Sequence, residues 1–574
     1  MIRIAILCTL FIASTAFADR SPLGPYGGVI TSISVGKEGI YIGTEGSGVF
    51  HSTDGGRSWK GRGKGLENLF VESLGIAEDG TMYSGTRDGV FKSRDGKSWE
   101  PLVSIPRGSS VKSIAFDKEG NLIASVWGKG VFICKKDTDC INSQKELSSP
   151  FVNSILPMEN GDVVVSTEGG VFLKPKDEEK WRLHGLAEYM IVPAITLDGK
   201  GILYAGTWGG GIHYFEKDDW RFRSMGVASS MVATLAKGPD NNLYAGTEAG
   251  VSVLKQGSDN WSTVGLENSY VKALGFGSNG EIYAGGYGKG FFAKEKGREW
   301  EGRNRGIYNS NILSMAFSDK GEIFAGTKQG LYISAKGDDN WIEVPDLYGM
   351  KVNSLLVDGN HVYAGTSNGL FAGMVSEKGW KRVEGEIGFL PVTALTKAGI
   401  HIYAGTDGDG IYRSPASKGE WSQVNEGLEN PRIRSLVTID DANVYAGTYD
   451  GVYTLQKGMT KWMRSGLQNN VVVSLSANGG AAFAAVENMG AFSLKDGRWV
   501  PLDGALPNNR ILSVLFAGKG LYASGYGWLL YREGDGPWKD ITGHLSNTVL
   551  QTIATDKAGK VYVGTWGSGI WRMD

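Results

Sequence analysis

Cysteine is nearly missing from this chain, with three among 574 residues, and proline is sparse at sixteen. The six histidines are scattered, with no pair at metal-ligand spacing, which argues against a zinc hydrolase. Neither sign of charge prevails: 59 basic residues face 61 acidic ones, so no global basic field awaits nucleic acid. No apolar run reaches the roughly 20 residues that a membrane span needs. The residue in excess is glycine, at 86. Without a collagen period, and beside many aromatics and short alternating segments, that excess points to a turn-rich all-β protein.

The N-terminus has the three parts of a secretory signal: Arg3, an apolar run from Ile4 to Phe11, and the small-residue exit Ala16-Phe17-Ala18. Cleavage is expected before Asp19, giving an exported protein, periplasmic or extracellular, with no membrane insertion. Cys8 leaves with that segment. Cys134 and Cys140 remain, in an oxidising compartment, where a disulfide is the default expectation. No metal and no cofactor are expected.

What fills the chain is one unit repeated about every 40 residues, a period typical of propeller blades. Its clearest copy is Leu203-Tyr204-Ala205-Gly206-Thr207-Trp208-Gly209-Gly210-Gly211-Ile212: a strand, a glycine turn and the start of a second strand. Close copies centre on Gly43, Gly85, Gly246, Gly326, Gly365, Gly405, Gly447 and Gly564, and weaker ones on Ser125, Ser166, Gly285, Ala485 and Ser524, making fourteen. Each unit reads as four short strands with period-two alternation, which cannot bury both its faces alone. Fourteen blades exceed the four to eight that fit around one axis, so the expected fold is all-β, two tandem seven-bladed propellers, dividing near Tyr308. The expected domains are a signal peptide (1–18), a first propeller (19–307) and a second (308–574). The last unit stops after Trp571-Arg572 without its outer strand. Either the stretch before Val29 or the one after Trp300 must close it.

Tryptophan opens the outer strand in twelve units, from Trp59 and Trp99 through Trp538, and is expected to pack between blades. The third unit lacks it; there the Cys134–Cys140 bridge is expected to staple the hairpin instead. Connectors such as Gly65-Leu66-Glu67-Asn68 and Gly265-Leu266-Glu267-Asn268 follow the outer strands. They are expected on the same face as the turns between second and third strands.

The first unit continues Ser52-Thr53-Asp54-Gly55-Gly56-Arg57-Ser58-Trp59, and the second Ser93-Arg94-Asp95-Gly96-Lys97-Ser98-Trp99, one residue shorter. The former matches the Asp-box, Ser-x-Asp-x-Gly-x-Ser/Thr-Trp, and the mature chain resembles a tandem propeller of the BNR/Asp-box repeat superfamily. Relatives by repeat pattern include sialidases, two-propeller xyloglucan-cleaving glucanases, sortilin-like receptors, the photosystem II assembly factor and the propellers of two-component sensors. The resemblance implies a structural box at Ser52, Asp54, Gly56 and Trp59, and constrains activity little.

Two features bear on chemistry. The longer inner turns carry flat rings among glycines: Trp127, Trp208, Tyr287 and Trp566, with Tyr526 and Trp528 in the thirteenth unit. Such rings offer stacking surfaces to a sugar or an extended peptide, or else simply plug the channel. The second feature is acidic. The xyloglucan-cleaving family carries a catalytic Asp in the first blade's turn, where this chain has Thr44-Glu45-Gly46-Ser47-Gly48 with Glu in place of Asp. A hydrolase needs a second carboxylate roughly 5–9.5 Å away. Asp407 or Asp409 is the candidate for that role, and the family's cleft-forming insertions are missing. The Gly-x-Gly turns lie between strands, without the helix N-terminus of a phosphate loop. The reading is therefore an exported, non-enzymatic binding or scaffold protein for a polysaccharide or protein segment. Its alternatives are a glycoside hydrolase using Glu45 and an accessory to a membrane complex.

Overall fold

In the computed structural model, residues 22–573 are described apart from 136–138, 189–190, 336–340, 376–378, 417–418, 441, 479, 503, 505, 508–509 and 547. The expected leader, residues 1–18, lies outside the described residues. The described residues form thirteen four-stranded antiparallel sheets and one three-stranded sheet, each in simple meander order, plus a two-stranded parallel ribbon. These are the blades of two seven-bladed propellers.

Each blade's second strand is its most enclosed. Leu203–Thr207 and Leu243–Thr247 are buried at every position, as a central strand with sheets stacked on both faces must be. Large residues from adjacent blades interleave there. Tyr204, Ile212 and Tyr214 of the fifth blade pack with Val232, Leu243 and Trp261 of the sixth.

The repeated Thr and Gly of the unit have a shared task. Thr207 Oγ1 donates to the Gly211 carbonyl (2.9 Å), and Thr44, Thr247, Thr327, Thr406 and Thr565 repeat the bond in their own turns. The turn is then latched to the connector entering the next blade: the amides of Gly209 and Gly211 both donate to Ser230 O. Inner turns and connectors therefore share one face of each ring.

The outer-strand tryptophans do pack between blades, and most are oriented by a hydrogen bond from the indole nitrogen. Trp99 Nε1 donates to Arg62 O, Trp181 to Ser143 O, Trp261 to Arg223 O and Trp462 to Val424 O, in each case in the preceding blade. In the third blade, Cys134 and Cys140 face each other across the hairpin Gly130–Lys135/Asp139–Asn142 and are disulfide-bonded. Cys134 is fully buried in the cluster that Tyr83, Leu102 and Phe132 fill, and Cys140 packs against it.

The rings close in different ways. In the N-terminal ring, Ile30, Ile40 and Phe50 of the first blade pack against Tyr283 and Phe291 of the seventh. Trp59 Nε1 bonds to Arg303 O, in the loop that leaves the seventh blade's own outer strand. In the C-terminal ring, Ile312 and Ile323 of the eighth blade meet Tyr562 and Ile570 of the last, and Leu23 packs beside them. The last blade has three strands of its own, and residues 23 and 24 take the outer position. The Leu23 amide donates to Ile570 O, and the Ile570 amide to Gly24 O, both at 2.8 Å. Trp341 Nε1 then donates to Leu23 O, the bond that Trp59 makes to Arg303. Of the two closures open from sequence, the stretch before Val29 is the one used.

Gly24 is glycine for steric reasons: φ is +108°, and a Cβ would sit 2.5 Å from the Trp341 indole nitrogen. Gly185 and Gly265 are held in the same way against Trp220 and Trp300. Gly27–Gly28 next pairs in parallel with Tyr308–Asn309, fastening the entry of the first ring to the entry of the second.

Candidate functional site

The amide of the first turn residue bonds back to the residue before the blade's own inner strand. Trp127 N donates to Ser110 O, Trp208 N to Ile191 O and Tyr287 N to Tyr270 O. That bond holds each aromatic over the inner strand, whose alternate residues line the channel. Trp127 and Trp208 accordingly rim the mouth of the N-terminal ring, around a cavity of about 440 Å³ that Glu72, Lys112, Tyr270 and Lys272 also line.

The rings form an arc. Trp208 meets Tyr270 edge-on at 5.8 Å, Tyr270 lies 5.9 Å from Tyr287, and Trp127 leans on Phe151 at 5.2 Å. Phe151 and Tyr270 were missed from the sequence. Their signal is an aromatic just before the Val that opens an inner strand, a pattern Phe70 shares. Burial, with Glu248 and Tyr287 adding to it, pushes the Tyr270 phenol up to about 12, so it stays a neutral donor.

The carboxylate at this mouth is paired. Glu72, with a side chain only 10% exposed, accepts from Arg87 Nε at 2.8 Å and Lys112 Nζ at 3.1 Å. Burial alone would raise its pKa; Lys112 and Arg87 outweigh it and hold the carboxyl below its ordinary range. Burial lowers Lys272, with Glu72 and Glu45 opposing that shift.

Glu45 is tied to this mouth through Arg87, which holds Glu72 as well, but lines a separate recess. Arg87 Nη2 holds the Glu45 carboxylate at 3.0 Å, and the recess, of only about 20 Å³, lies at the junction of the rings. Asp407 lines a different cavity, at the mouth of the C-terminal ring, where Arg432 Nε binds it at 2.9 Å. The turn of Asp409 is fixed by Asn425 and Gln423, which donate to its carbonyl. Neither aspartate shares a cavity with Glu45, so the paired-carboxylate expectation is not met by these residues. Among the described residues, no three His, Cys, Asp or Glu gather to hold a metal ion. Nor is any helix there long and apolar enough to cross a membrane.

The remaining aromatic candidates separate. Trp528 is a correction: it is 2% exposed, packed with Ala485, Val514 and Leu530, because it begins a strand instead of capping a turn. Trp566 is half-buried where the rings meet, edge-on to Phe70 at 6.1 Å and under Lys328 at 5.3 Å. Tyr526 is exposed on the C-terminal ring, 5.5 Å from the Arg510 guanidinium.

The Asp-box residues lie at the outer rim, away from both mouths. Asp54 accepts from the Ser52 and Ser58 hydroxyls and the Ser58 amide, and Gly56 N donates to Ser52 Oγ. Partial burial opposes ionisation, yet the Ser58 and Ser52 bonds bring the carboxyl to about 2. The arrangement fixes a turn and delivers Trp59 to the seam.

The sequence matches no family model, and no curated protein sequence matches it. Solved structures do resemble it. An ancestral GH74 enzyme shares 14% identity over 96% of this chain and 98% of its own, with a TM-score of 0.75. The GH74 xyloglucanase of Xanthomonas campestris shares 13% over 96% and 99%, at 0.72. PorZ, a surface component of the type-IX secretion system of Porphyromonas gingivalis, shares 12% over 96% and 86%, at 0.63. At such identities the likeness is one of fold, two tandem propellers.

Proposed function

We propose that this is an exported, non-enzymatic binding or scaffold protein that takes a polysaccharide chain at the aromatic mouth of its N-terminal ring. The observation that carries the reading is a contrast of volumes. The recess at Glu45 holds about 20 Å³, far less than the roughly 300–1,000 Å³ of ligand pockets, whereas the Trp127–Trp208 mouth holds about 440 Å³. Stacking rings, neutral phenols and paired charges suit the faces and hydroxyls of a sugar. We further propose residues 19–307 and 308–574 as the two propeller units, with Leu23 and Gly24 of the first reaching into the second.

The test is a glycan-array and polysaccharide screen of the mature protein, reading retention and released reducing sugar together. Retention without release, lost in Trp208→Ala and Trp127→Ala with folding intact, is the expected result. Release abolished by Glu45→Gln would replace this reading with hydrolysis, the activity named for the xyloglucanase of like fold. Silence in both channels, with one stoichiometric protein recovered by pull-down, would replace it with an accessory role.

A further inference from the structure

The mouth of the C-terminal ring is built differently. Its cavity of about 390 Å³ is lined by Lys351 and Arg434, with Asn353, Thr393 and Gln551 below them and Asp407 at the rim. Arg432 spans the rim, stacked 3.9 Å over Tyr449 and bonded to Asp407. Arg434 reaches the Tyr449 hydroxyl at 3.5 Å. Among the described residues, neither Lys351 nor Arg434 has a carboxylate within ion-pair distance, and the single carboxylate lining the cavity is already taken by Arg432. Three cations therefore face one anion. Partial burial, reinforced by Arg434 and Lys328, makes the Lys351 ammonium less favourable than usual, as expected where positive charge is in surplus.

We infer that this mouth is an anion-binding subsite, and that its occupant is a carboxylate-bearing sugar, a uronic acid of an acidic polysaccharide. Lys351 and Arg434 would hold the carboxylate, the guanidinium through two parallel N–H bonds. Asn353 Nδ2 donates to Val392 O and Thr393 Oγ1 to Ile433 O, which leaves the Asn353 side-chain oxygen, the Thr393 lone pairs and the Gln551 amide to meet ring hydroxyls, which an acidic peptide does not offer. Asp407 then has a role other than catalysis: it holds Arg432 across the rim. The inference rests on the polysaccharide reading for its ligand class, but on different residues.

The experiment is calorimetric titration of the full mature chain with three probes: tri-galacturonate, the neutral galactose trisaccharide and tri-glutamate. Expected is binding of tri-galacturonate in preference to the other two probes, weakened at least tenfold in the Lys351→Gln/Arg434→Gln double variant. Because both substituted side chains are exposed, the double variant should fold, and circular dichroism checks this. In the unaltered protein, affinity should also fall steeply with salt, as ion pairing requires. Equal binding of the neutral sugar, preference for tri-glutamate, or no binding of tri-galacturonate would each overturn the inference. Neutral glycan binding that is lost in Trp208→Ala would meanwhile leave the first reading standing, so the two can fail separately.

Discussion

At the N-terminal mouth, Trp127, Trp208, Tyr270 and Tyr287 form an arc and Glu72 is bound by Arg87 and Lys112, with Lys272 beside them; at the C-terminal mouth a single tyrosine lies under two arginines, and the carboxylate is bound by Arg432 and not by the Lys351 and Arg434 that line the cavity. Both mouths stand on the same latched turn and the same buried second strand. The scaffold leaves the channel-facing residue of each inner strand and the tip of each inner turn free to vary, and there the rings diverge. They differ also at the seam, one closed by a blade's own strand and the other by Leu23 and Gly24.

The comparison can be broken most decisively at the second seam. Deleting residues 22–26 removes the outer strand of the last blade and the partner of Trp341, and should open the C-terminal ring while leaving the other closed. Hydrogen exchange read separately over the two rings checks this, and equal loss of protection in both would contradict it. Trp59→Ala is the mirror experiment. Removing this 5% exposed side chain should cost about 3–5 kcal/mol and loosen the N-terminal seam first, as followed by chemical denaturation.

A smaller effect follows from the third blade. Replacing Cys134 and Cys140 together by Ser should cost about 2 kcal/mol, the value expected for so short a loop, again confined to the N-terminal ring. Acid should separate the rings as well. Asp54 and Asp95 ionise at about 2 and Glu72 is held low, all in the N-terminal ring. A carboxyl depressed on folding contributes stability above its unfolded pKa of roughly 4 and loses it as pH falls through the folded value. Glu343, in the C-terminal ring, is raised by burial, so its contribution runs the other way and favours the fold as it takes up a proton. Between pH 4 and 2 the N-terminal ring should therefore lose protection first. The smallest change is Thr247→Val or Thr406→Val, each deleting the two turn bonds of one hydroxyl for about 1 kcal/mol. Equal shifts in melting temperature are expected, since this latch is common to both rings.

The blade count, the four-strand unit and the packing role of the tryptophans were legible because each rests on a pattern repeated many times. Trp208 and Trp127 were found for the same reason: they replace a repeated position beside glycines. Trp528 misled because the thirteenth turn is one residue shorter, which moves the ring from the tip into a strand. Trp566 occupies the expected turn, but Phe70 of the first ring packs against it, and no periodicity within one ring can reveal that. Lys351 and Arg434 went unnoticed because their positions vary from blade to blade, the first carrying Phe70 or Tyr270 and the second Thr31, Lys112 or Asn153, and only ring closure brings them together.

The segment at Leu23 has a consequence for the order of assembly. It precedes every blade in the sequence, yet its hydrogen-bonding edge at Ile570 belongs to the fourteenth. The first ring has all its strands once its seventh blade is complete and can close while synthesis continues. The second must wait until Leu23 meets Ile570, a pairing of very high contact order and correspondingly slow formation. Until then it carries an unpaired strand edge, the kind of surface that invites chaperones or another copy of the chain.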